Sequence, residues 1–380
     1  MNLTPSDVLN GKSPLILTAK FEPIGSDRFQ PAGFPEIGHV IYKAPRENGT
    51  TENICIVDSA ASMANHLESV CMHGPHDFEL VDDLNGMPYI RCVTGDFKNN
   101  TLPESSLVVT SLTEGHRIAS SYFIEGVMLK GNAKATRKGK DGKDEPLKLG
   151  HYLIEKFGIV LPGSKKAHPP AGKWWNVFKT IFELDPNSLV HGVLFPQWQI
   201  KIPRALTAHL EAFGAGRVDR SGVKFDRLGK TTSGQPIFAV DDVTAGSIRA
   251  TFVLDISLIR SFGRMKDEKT QLGLSENQKE FLIALALWKI KKLTENSFRF
   301  RSGCYLRCTA LESCGQKVSI NVDIRKAINK AGFSDQPITD VFWKREELYR
   351  EGARDTNAAG TSEGDENGSP DEDDSGAEEG

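Results

Sequence analysis

The residues near the start of the chain that are best suited to binding lie in the segment 24–38. Arg28 supplies a guanidinium, Phe29 an aromatic ring and Gln30 an amide. Regular secondary structure is interrupted around them by Gly25, Pro31, Gly33 and Pro35. An ordered loop that offers such side chains is more often a binding surface than a spacer. The segment is therefore predicted to be a binding loop.

Regular elements must hold this loop in place. The apolar run 15–21 before the loop and the run 54–57 after it are typical of buried strands. Asp58 or Ser59 then caps a predicted helix with one apolar stripe. The polar side of that helix carries Ser62, Asn65 and His66. The predicted unit is a strand, a binding loop, a second strand and a helix.

The runs 28–35 (Arg-Phe-Gln-Pro-Ala-Gly-Phe-Pro) and 58–68 resemble the backbone RAMP subunit of type I-G (formerly I-U) CRISPR surveillance complexes. Further runs that are similar to this family lie at 113–120, 191–193, 203–206, 217–227 and 298–307. The resemblance covers most of residues 1–310 and depends on the order and combination of the runs. Residues 130–148 and 351–380 match nothing in the family.

The resemblance implies an α+β fold with a ferredoxin-like (RRM-type) RAMP palm and large insertions. It also implies a non-catalytic subunit that binds CRISPR RNA, stacks head to tail with copies of itself and joins other Cascade subunits. The guide would then be presented to target DNA. No cofactor and no metal is expected. The alternative is a metal-independent RAMP endoribonuclease that cuts precursor CRISPR RNA, with His66 or His116 as its base.

The side chains predicted to contact RNA come from the matching runs and from a basic segment near residue 137. They are Arg28, Phe29, Gln30, Ser62, Asn65, His66, His116, Arg117, Lys134, Arg137, Lys138, Lys140, Arg217, Arg220, Lys224, Arg227, Arg299 and Arg301.

Several of these groups have a second interpretation. The segment 130–143 holds six bases and one acid, so it is either a phosphate-binding loop or a solvated insertion. The bases in 217–227 either contact the RNA backbone or belong to a charged hairpin that nearby acids neutralise in part. Alternation in 298–301 places Arg299 and Arg301 on one sheet face, which points either to RNA or to solvent.

Arg117 is predicted to lie on a helix. Ser111 and Glu114 have the spacing of a capping box, which predicts a helix through about residue 123. Arg117 would then pair with Glu114 one turn away, or would contact RNA as the resemblance implies. Metal chemistry is disfavoured, because Cys71, His73 and His76 have no second ligand pair.

Charge is divided unevenly along the 380 residues. Residues 351–380 hold 11 acids and one base, a net charge of −10, whereas residues 1–350 hold 46 bases and 39 acids, a net charge of +7. A basic body suits a polyanionic partner. The acidic segment either mimics nucleic acid or only keeps the protein in solution.

The predicted domain spans residues 1–350, with a basic loop at about 130–148 and a helical insertion at about 148–200. Its strands and helices mix without regular alternation, which favours an α+β fold. Residues 351–380 are predicted to be a disordered acidic tail, because they contain almost no apolar side chain. The start of the sequence is not typical of a signal peptide, and no apolar run could span a bilayer, so we expect a cytoplasmic location without membrane contact.

Overall fold

The computed structural model describes residues 1–33, 38–139, 141–159, 168–218 and 242–348. It comprises two units, Met1–Trp343 and Lys344–Gly380. The second unit is described only over residues 344–348 and contains one short helix there.

The helices of the described ranges are α1 (Pro5–Asn10), α2 (Ala60–Ser69), α3 (Ser121–Ile124), α4 (Leu149–Phe157), α5 (Trp174–Leu184), α6 (Asn187–His191), α7 (Ile256–Ser261), α8 (Glu276–Glu295), α9 (Ile324–Ala331) and α10 (Arg345–Leu348). Single 3-10 turns lie at Asp82–Leu84, Arg117–Ala119, Ala171–Lys173 and Pro196–Trp198.

The strands of these ranges are β1 (Asn2–Leu3), β2 (Leu15–Pro23), β3 (Arg28–Phe29), β4 (Ile41–Pro45), β5 (Thr51–Asp58), β6 (Met72–Gly74), β7 (Asp77–Leu80), β8 (Tyr89–Thr94), β9 (Ser106–Thr110), β10 (Val127–Lys130), β11 (Ala133–Lys134), β12 (Thr136–Lys138), β13 (Asp144–Pro146), β14 (Val193–Phe195), β15 (Ile200–Ile202), β16 (Leu206–Phe213), β17 (Gly216–Val218), β18 (Asp242–Thr244), β19 (Ser247–Leu254), β20 (Gly263–Met265), β21 (Gln271–Gly273), β22 (Ser297–Arg301), β23 (Cys304–Ser313), β24 (Gln316–Lys317), β25 (Ser319–Ile320) and β26 (Ile338–Phe342).

The largest sheet has the strand order β22-β23-β2-β19-β16-β5-β4, with β24 paired to β23. Its neighbouring strands are antiparallel throughout. Successive side chains of a strand point to opposite faces, so a sheet with one covered face shows alternating burial. β19 follows this rule, because Ile248, Ala250, Phe252 and Leu254 are buried and the residues between them are not.

Helix α8 forms the centre of the core. It begins at a capping box formed by Ser275 and Gln278, and the residues from Phe281 to Trp288 are all buried. It contacts α1, α2, α6, α7 and α9 as well as strands β22 and β23. A helix that is apolar on every side must be surrounded by other elements, because its burial supplies most of its stability.

A second sheet has the order β11-β10-β26-β8-β9, and an apolar cluster of Val93, Leu102 and Phe342 is buried at it. A three-stranded sheet, β17-β18-β3, joins the predicted binding loop to residues far along the chain. The mixture of helices and largely antiparallel sheets agrees with the predicted α+β class. None of the helices in the described ranges is both long and apolar enough to cross a membrane.

Several predicted elements are confirmed. The runs 15–21 and 54–57 lie in β2 and β5, and Ser59 caps α2 by accepting a hydrogen bond from the Ser62 N–H. Each prediction used short-range periodicity or capping chemistry, which a local sequence window contains.

The predicted helix from Ser111 to about residue 123 is wrong. The hydroxyl of Ser111 is buried and accepts the Ile90 N–H at 3.2 Å instead of capping a helix. Arg117 has φ +52°, a left-handed backbone that an α-helix cannot contain. The helix that does form is α3, and Ser120 caps it.

The basic segment is not an irregular loop. Strands β12 and β13 form an antiparallel hairpin in which Arg137 lies opposite Glu145 and Lys138 lies opposite Asp144. Helices α4, α5 and α6 follow within the predicted helical insertion at about 148–200. The predicted acidic tail and its disorder lie outside the described residues.

Candidate nucleic-acid interface

A buried carboxylate lies where β5 meets α2. Asp58 is 1 % exposed, and its Oδ1 accepts the Ser59 N–H at 3.0 Å. Its Oδ2 lies 2.8 Å from His66 Nε2 and 2.7 Å from the guanidinium of Arg301. Asp58, Ser62, His66, Arg301 and Gln30 are called the Asp58 cluster below.

The pKa of Asp58 reflects these partners. Burial raises the pKa of this carboxyl, but the hydrogen bond from His66 and the charge of Arg301 lower it by more, so it lies below its ordinary value. Asp58 is therefore ionised at neutral pH and needs both partners. Because His66 and Arg301 both contact the Asp58 carboxylate, the cluster links segments that are distant in the sequence.

His66 is held by an aromatic wall. Its ring packs edge-on against Phe298 and Phe300, with centroid separations of 5.4 and 5.2 Å, and the Ser62 hydroxyl lies 3.4 Å from its Nε2. This places two predicted RNA-binding side chains of α2, Ser62 and His66, next to strand β22. Asn65 lies on the same helix and is exposed.

Arg301 ties the predicted binding loop to this cluster. Its Nη1 donates to the carbonyl of Val57 at 2.9 Å and to that of Gln30 at 3.4 Å. The Gln30 N–H in turn donates to the Gly303 carbonyl at 2.8 Å. Gly303 has φ +75°, and a Cβ there would lie 3.0 Å from the Gln30 side-chain oxygen, so glycine is required at this close approach. Arg301 thus positions the loop backbone.

Arg28 and Arg217 lie on one small sheet, although 188 residues separate them in the sequence. β18 lies between their strands, with Val243 opposite both Arg217 and Phe29. The Arg28 side chain is 60 % exposed and its Nε lies 3.6 Å from Asp242. Arg217 is exposed and donates from Nε to His39 Nε2 at 3.1 Å. Both arginines are therefore exposed on this small sheet, which is called the Arg28–Arg217 sheet, although the register places them on its opposite faces.

Phe29 does not share this exposure. It is 1 % exposed and belongs to the core. The expectation that its ring presents a face to a ligand is therefore corrected, because a two-residue strand pairs with β18 and turns alternate side chains to opposite faces. Phe34, the other ring of the predicted loop, lies outside the described residues.

Arg117 is also not a surface cation. It is 6 % exposed and forms a bidentate ion pair with Glu68, with Nε–Oε1 at 2.7 Å and Nη2–Oε2 at 2.9 Å. The predicted pair with Glu114 is wrong for the side chain, since only the Arg117 N–H donates to the Glu114 carbonyl. Bidentate geometry fixes the guanidinium plane, which suits a structural role.

Glu68 and Arg117 belong to a buried polar network that the sequence analysis missed. Asn187 donates to Glu68 Oε1 at 2.6 Å, and Lys289 donates both to Asn187 Oδ1 and to His191 Nε2. Lys289 is 0 % exposed. Its signal in the sequence is a lysine directly after the apolar run of α8, because a lysine that deep in a core must have polar partners.

Other predicted side chains are exposed. The His116 side chain is 82 % exposed, with Nδ1 at 3.5 Å from Glu114. Arg299 donates to the Ser302 hydroxyl at 2.9 Å and lies 5.9 Å from the Tyr305 ring. A register shift between residues 299 and 301 separates the two arginines of β22, so they do not act as one pair.

The basic hairpin is largely neutralised. Arg137 forms an ion pair with Glu145 at 2.5 Å, and Lys138 forms one with Asp144 at 3.0 Å. The Lys134 ammonium lies 4.6 Å from the Phe97 ring centroid, a cation–π contact. Lys140, Arg220, Lys224 and Arg227 lie outside the described residues. Within the described ranges, no group of three or more His, Cys, Asp or Glu side chains could hold a metal ion.

Residues 15–217 match the family described as CRISPR-associated protein GSU0053. Among solved structures, the crystal structure of Thermofilum pendens Csc2 is similar over 86 % of this chain and 74 % of that chain, with 12 % identity and a TM-score of 0.29. A TM-score this low establishes neither a shared fold nor a shared function. No curated protein matches the sequence.

Proposed function

This chain belongs to the CRISPR-associated GSU0053 family, and we propose that it is a non-catalytic backbone subunit of a type I-G interference complex that binds CRISPR RNA. Copies stack head to tail along the guide in the cytoplasm, contact other Cascade subunits and present the guide to target DNA. A repeated contact between unlike surfaces yields an open filament rather than a closed ring.

One observation carries this proposal. The segment that belongs to the CRISPR-associated family contains both arginines of the Arg28–Arg217 sheet, and both are exposed there. Arginine on a surface is suited to phosphate groups, because its planar fork donates several hydrogen bonds and keeps its charge. Contacts of this kind fix the position of a strand without reading its sequence.

The strand order of the main sheet supports a ferredoxin-like palm. With other elements between them in the chain, β2, α2, β16, β19, α8 and β23 occur in the order β-α-β-β-α-β, and the four strands lie side by side as β23-β2-β19-β16. This order is the one expected of a ferredoxin-like domain, in which the fourth and third strands flank the first, and it supports the proposed palm. β4 and β5 extend the sheet beyond β16.

The mechanism follows from the charge distribution. Residues 1–350 carry a net charge of +7, and cations on the surface neutralise guide phosphates, which releases counterions and makes the affinity depend on salt. Specificity for the target then comes from base pairing by the guide, as in other RNA-guided effectors.

A metal-independent endoribonuclease remains the second candidate, and the contact between His66 and Asp58 is the observation that favours it. A carboxylate that orients an imidazole can create a general base. Against this role, the same His66 nitrogen is committed to Asp58 and the ring is packed against two phenyl groups. Incubation of the protein with repeat RNA in a chelator decides: cleavage that His66→Gln abolishes would establish the enzyme.

The test of the proposed function is the RNA that accompanies the full-length protein when it is produced with its CRISPR array. We expect RNA of one discrete length and a particle mass that corresponds to several copies of the chain on each RNA. Arg28→Gln combined with Arg217→Gln should lower the RNA content per protein. The matched control, Lys326→Gln combined with Lys330→Gln on α9, removes the same charge from another surface and should retain it. Protein without RNA, at low salt, would refute the proposal.

A further inference from the structure

A cleft of about 470 Å³ opens beside the buried network. It lies between the turn at 115–117, the hairpin β14–β15 and the start of β16. Basic side chains line it at His116, Arg117, Lys201 and Arg204. Its size falls within the range of about 300–1,000 Å³ typical of small-ligand sites.

One of the residues that line the cleft has a buried hydrogen-bond donor without a partner. His191 lines the cleft, is 1 % exposed, and receives the Lys289 ammonium at its Nε2 at 3.0 Å. An ammonium can only donate, so Nε2 is the acceptor and the ring hydrogen is on Nδ1. That Nδ1 is buried and has no hydrogen-bond partner. A buried donor without an acceptor is costly, and an acceptor supplied by a ligand would remove this cost.

Electrostatics also keep the His191 ring uncharged. Burial, together with the charges of Lys289 and Arg117, holds the pKa of His191 well below its ordinary value. The ring is therefore neutral at pH 7 and has a single N–H. A ligand that meets this N–H must bring an acceptor atom.

The cleft as a whole selects a negatively charged ligand. None of its described lining residues is an aspartate or a glutamate. Glu68 already holds Arg117, whereas Lys201 and Arg204 are exposed at the rim. Arg204 Nη1 donates a 3.4 Å hydrogen bond to the carbonyl of Ala60, at the start of α2. The lining therefore combines two exposed basic side chains with a residue whose buried donor has no partner, and no carboxylate stands among its described residues.

Apolar side chains line the cleft on the same hairpin as Lys201, which lies opposite Leu194 in the register. Leu194 is 53 % exposed, and Val193, Ile202 and Pro203 line the cleft beside it. An exposed leucine at the mouth of a cationic cleft suits a ligand that combines an anionic group with an apolar face. A nucleotide has both, a phosphate and the face of its base or sugar.

We propose that this cleft binds one nucleotide of the RNA strand, with its phosphate against Lys201, Arg204 and His191 Nδ1 and its base or sugar against Leu194. The inference rests on the proposed RNA-binding function and assigns one subsite of it. The same phosphate chemistry could come from a free nucleotide, so the test separates the two sources.

The test compares the full-length protein with Lys201→Gln combined with Arg204→Gln. Both side chains are exposed, so the variant should unfold at the same temperature as the native chain. RNA affinity is measured by fluorescence anisotropy as the salt concentration rises, and adenosine 5′-monophosphate and adenosine are titrated by calorimetry. Lys326→Gln combined with Lys330→Gln is the control for net charge.

We expect the salt slope of RNA binding to fall by about 0.7 for each phosphate contact that the variant loses. The salt slope of the control should differ from the native slope by less than the value for one phosphate contact. Adenosine 5′-monophosphate should bind the native chain weakly. Its heat of binding should be greatly reduced with the variant, and adenosine should give a greatly reduced heat with the native chain.

Three results would overturn the inference, and each has a different meaning. If the native chain binds RNA and the cleft variant has the same slope, the strand bypasses the cleft while the proposed function stands. If the cleft variant loses binding of the monophosphate but keeps the native salt slope for RNA, the site binds free nucleotides. If the native chain binds no RNA, the proposed function itself fails.

Discussion

Replacing Arg301 by methionine should destabilise the protein without removing a phosphate contact. The Arg301 side chain is 23 % exposed, and its guanidinium joins Asp58 to the carbonyls of Val57 and Gln30. Methionine keeps an unbranched side chain but has neither the charge nor the donors. The variant therefore removes the link between the binding loop and the start of α2.

The magnitude follows from the burial of Asp58, whose side chain has 0 % exposure. Removal of one partner from a buried ion pair costs about 3–5 kcal/mol. Asp58 keeps its hydrogen bonds to His66 and to the Ser59 N–H, which lower the cost. We therefore expect Arg301→Met to lower the free energy of unfolding by about 2–3 kcal/mol.

A double-mutant cycle measures this contact by urea unfolding at pH 7. Asp58→Asn removes the charge that Arg301 meets, so the double variant should lose less stability than the two single losses added together. The expected coupling is about 2 kcal/mol, and additivity to within about 0.5 kcal/mol would refute the ion pair.

RNA binding by the same variant separates positioning from direct contact. If Arg301 only holds the Gln30 backbone, Arg301→Met should weaken RNA binding while the salt slope stays as it is in the native chain. Loss of a phosphate contact would lower that slope by about 0.7. A slope reduced by that amount would contradict the positioning role and would restore Arg301 to the RNA-binding residues.

Three other perturbations test different regions of the chain. Arg137→Gln combined with Lys138→Gln should reduce the salt slope of RNA binding by less than the value of about 1.4 expected for two phosphate contacts. The reason is that carboxylates across the hairpin already form ion pairs with both side chains. A reduction by the full value would show that Arg137 and Lys138 leave these carboxylates to bind RNA. Burial raises the pKa of Asp185 to about 6, so its ionisation destabilises the fold as pH rises. Between about pH 4 and about pH 7, the free energy of unfolding of Asp185→Asn, measured in urea, should therefore rise by about 3 kcal/mol relative to that of the native chain. A difference that stays constant across pH would contradict this. Deletion of residues 351–380 removes a net charge of −10 and should leave RNA affinity equal or higher in the anisotropy assay, whereas a large loss would mean that the segment takes part in binding.

The local part of the fold could be predicted from the sequence. β2, β5 and α2 were recognisable because apolar periodicity and capping residues lie within a short window. The family prediction is confirmed as CRISPR-associated. Its finer content, the RNA-binding role and the subtype, stays a proposal.

The long-range part could not be predicted in this way. Phe29 stands among residues that break regular structure, which indicates a loop, yet its strand pairs with β18 more than 200 residues later and buries the ring. Arg117 pairs with Glu68 and Arg301 with Asp58, and neither partner is a sequence neighbour. Such contacts depend on how the sheet is assembled, and periodicity within a window does not contain that information.

The ion pairs of Arg117 and Arg301 also change the interpretation of the predicted site. Arg117 and Arg301 share short stretches with exposed neighbours, His116 and Arg299, and charge alone does not distinguish a surface cation from one that neutralises a buried acid. A buried carboxylate must have a partner, so part of the positive charge of the chain is used inside the fold. The exposed cations are the remaining candidates for RNA.

The central claim is that the surface binds an RNA backbone through charge and without regard to base sequence. The most direct measurement is the affinity of the full-length protein for two unrelated RNAs of equal length, followed from about 50 to about 200 mM salt. We predict equal affinities for both RNAs and a common linear decrease of log affinity with log salt concentration. Absence of binding at the lowest salt concentration, or an affinity that does not change with salt, would contradict the claim.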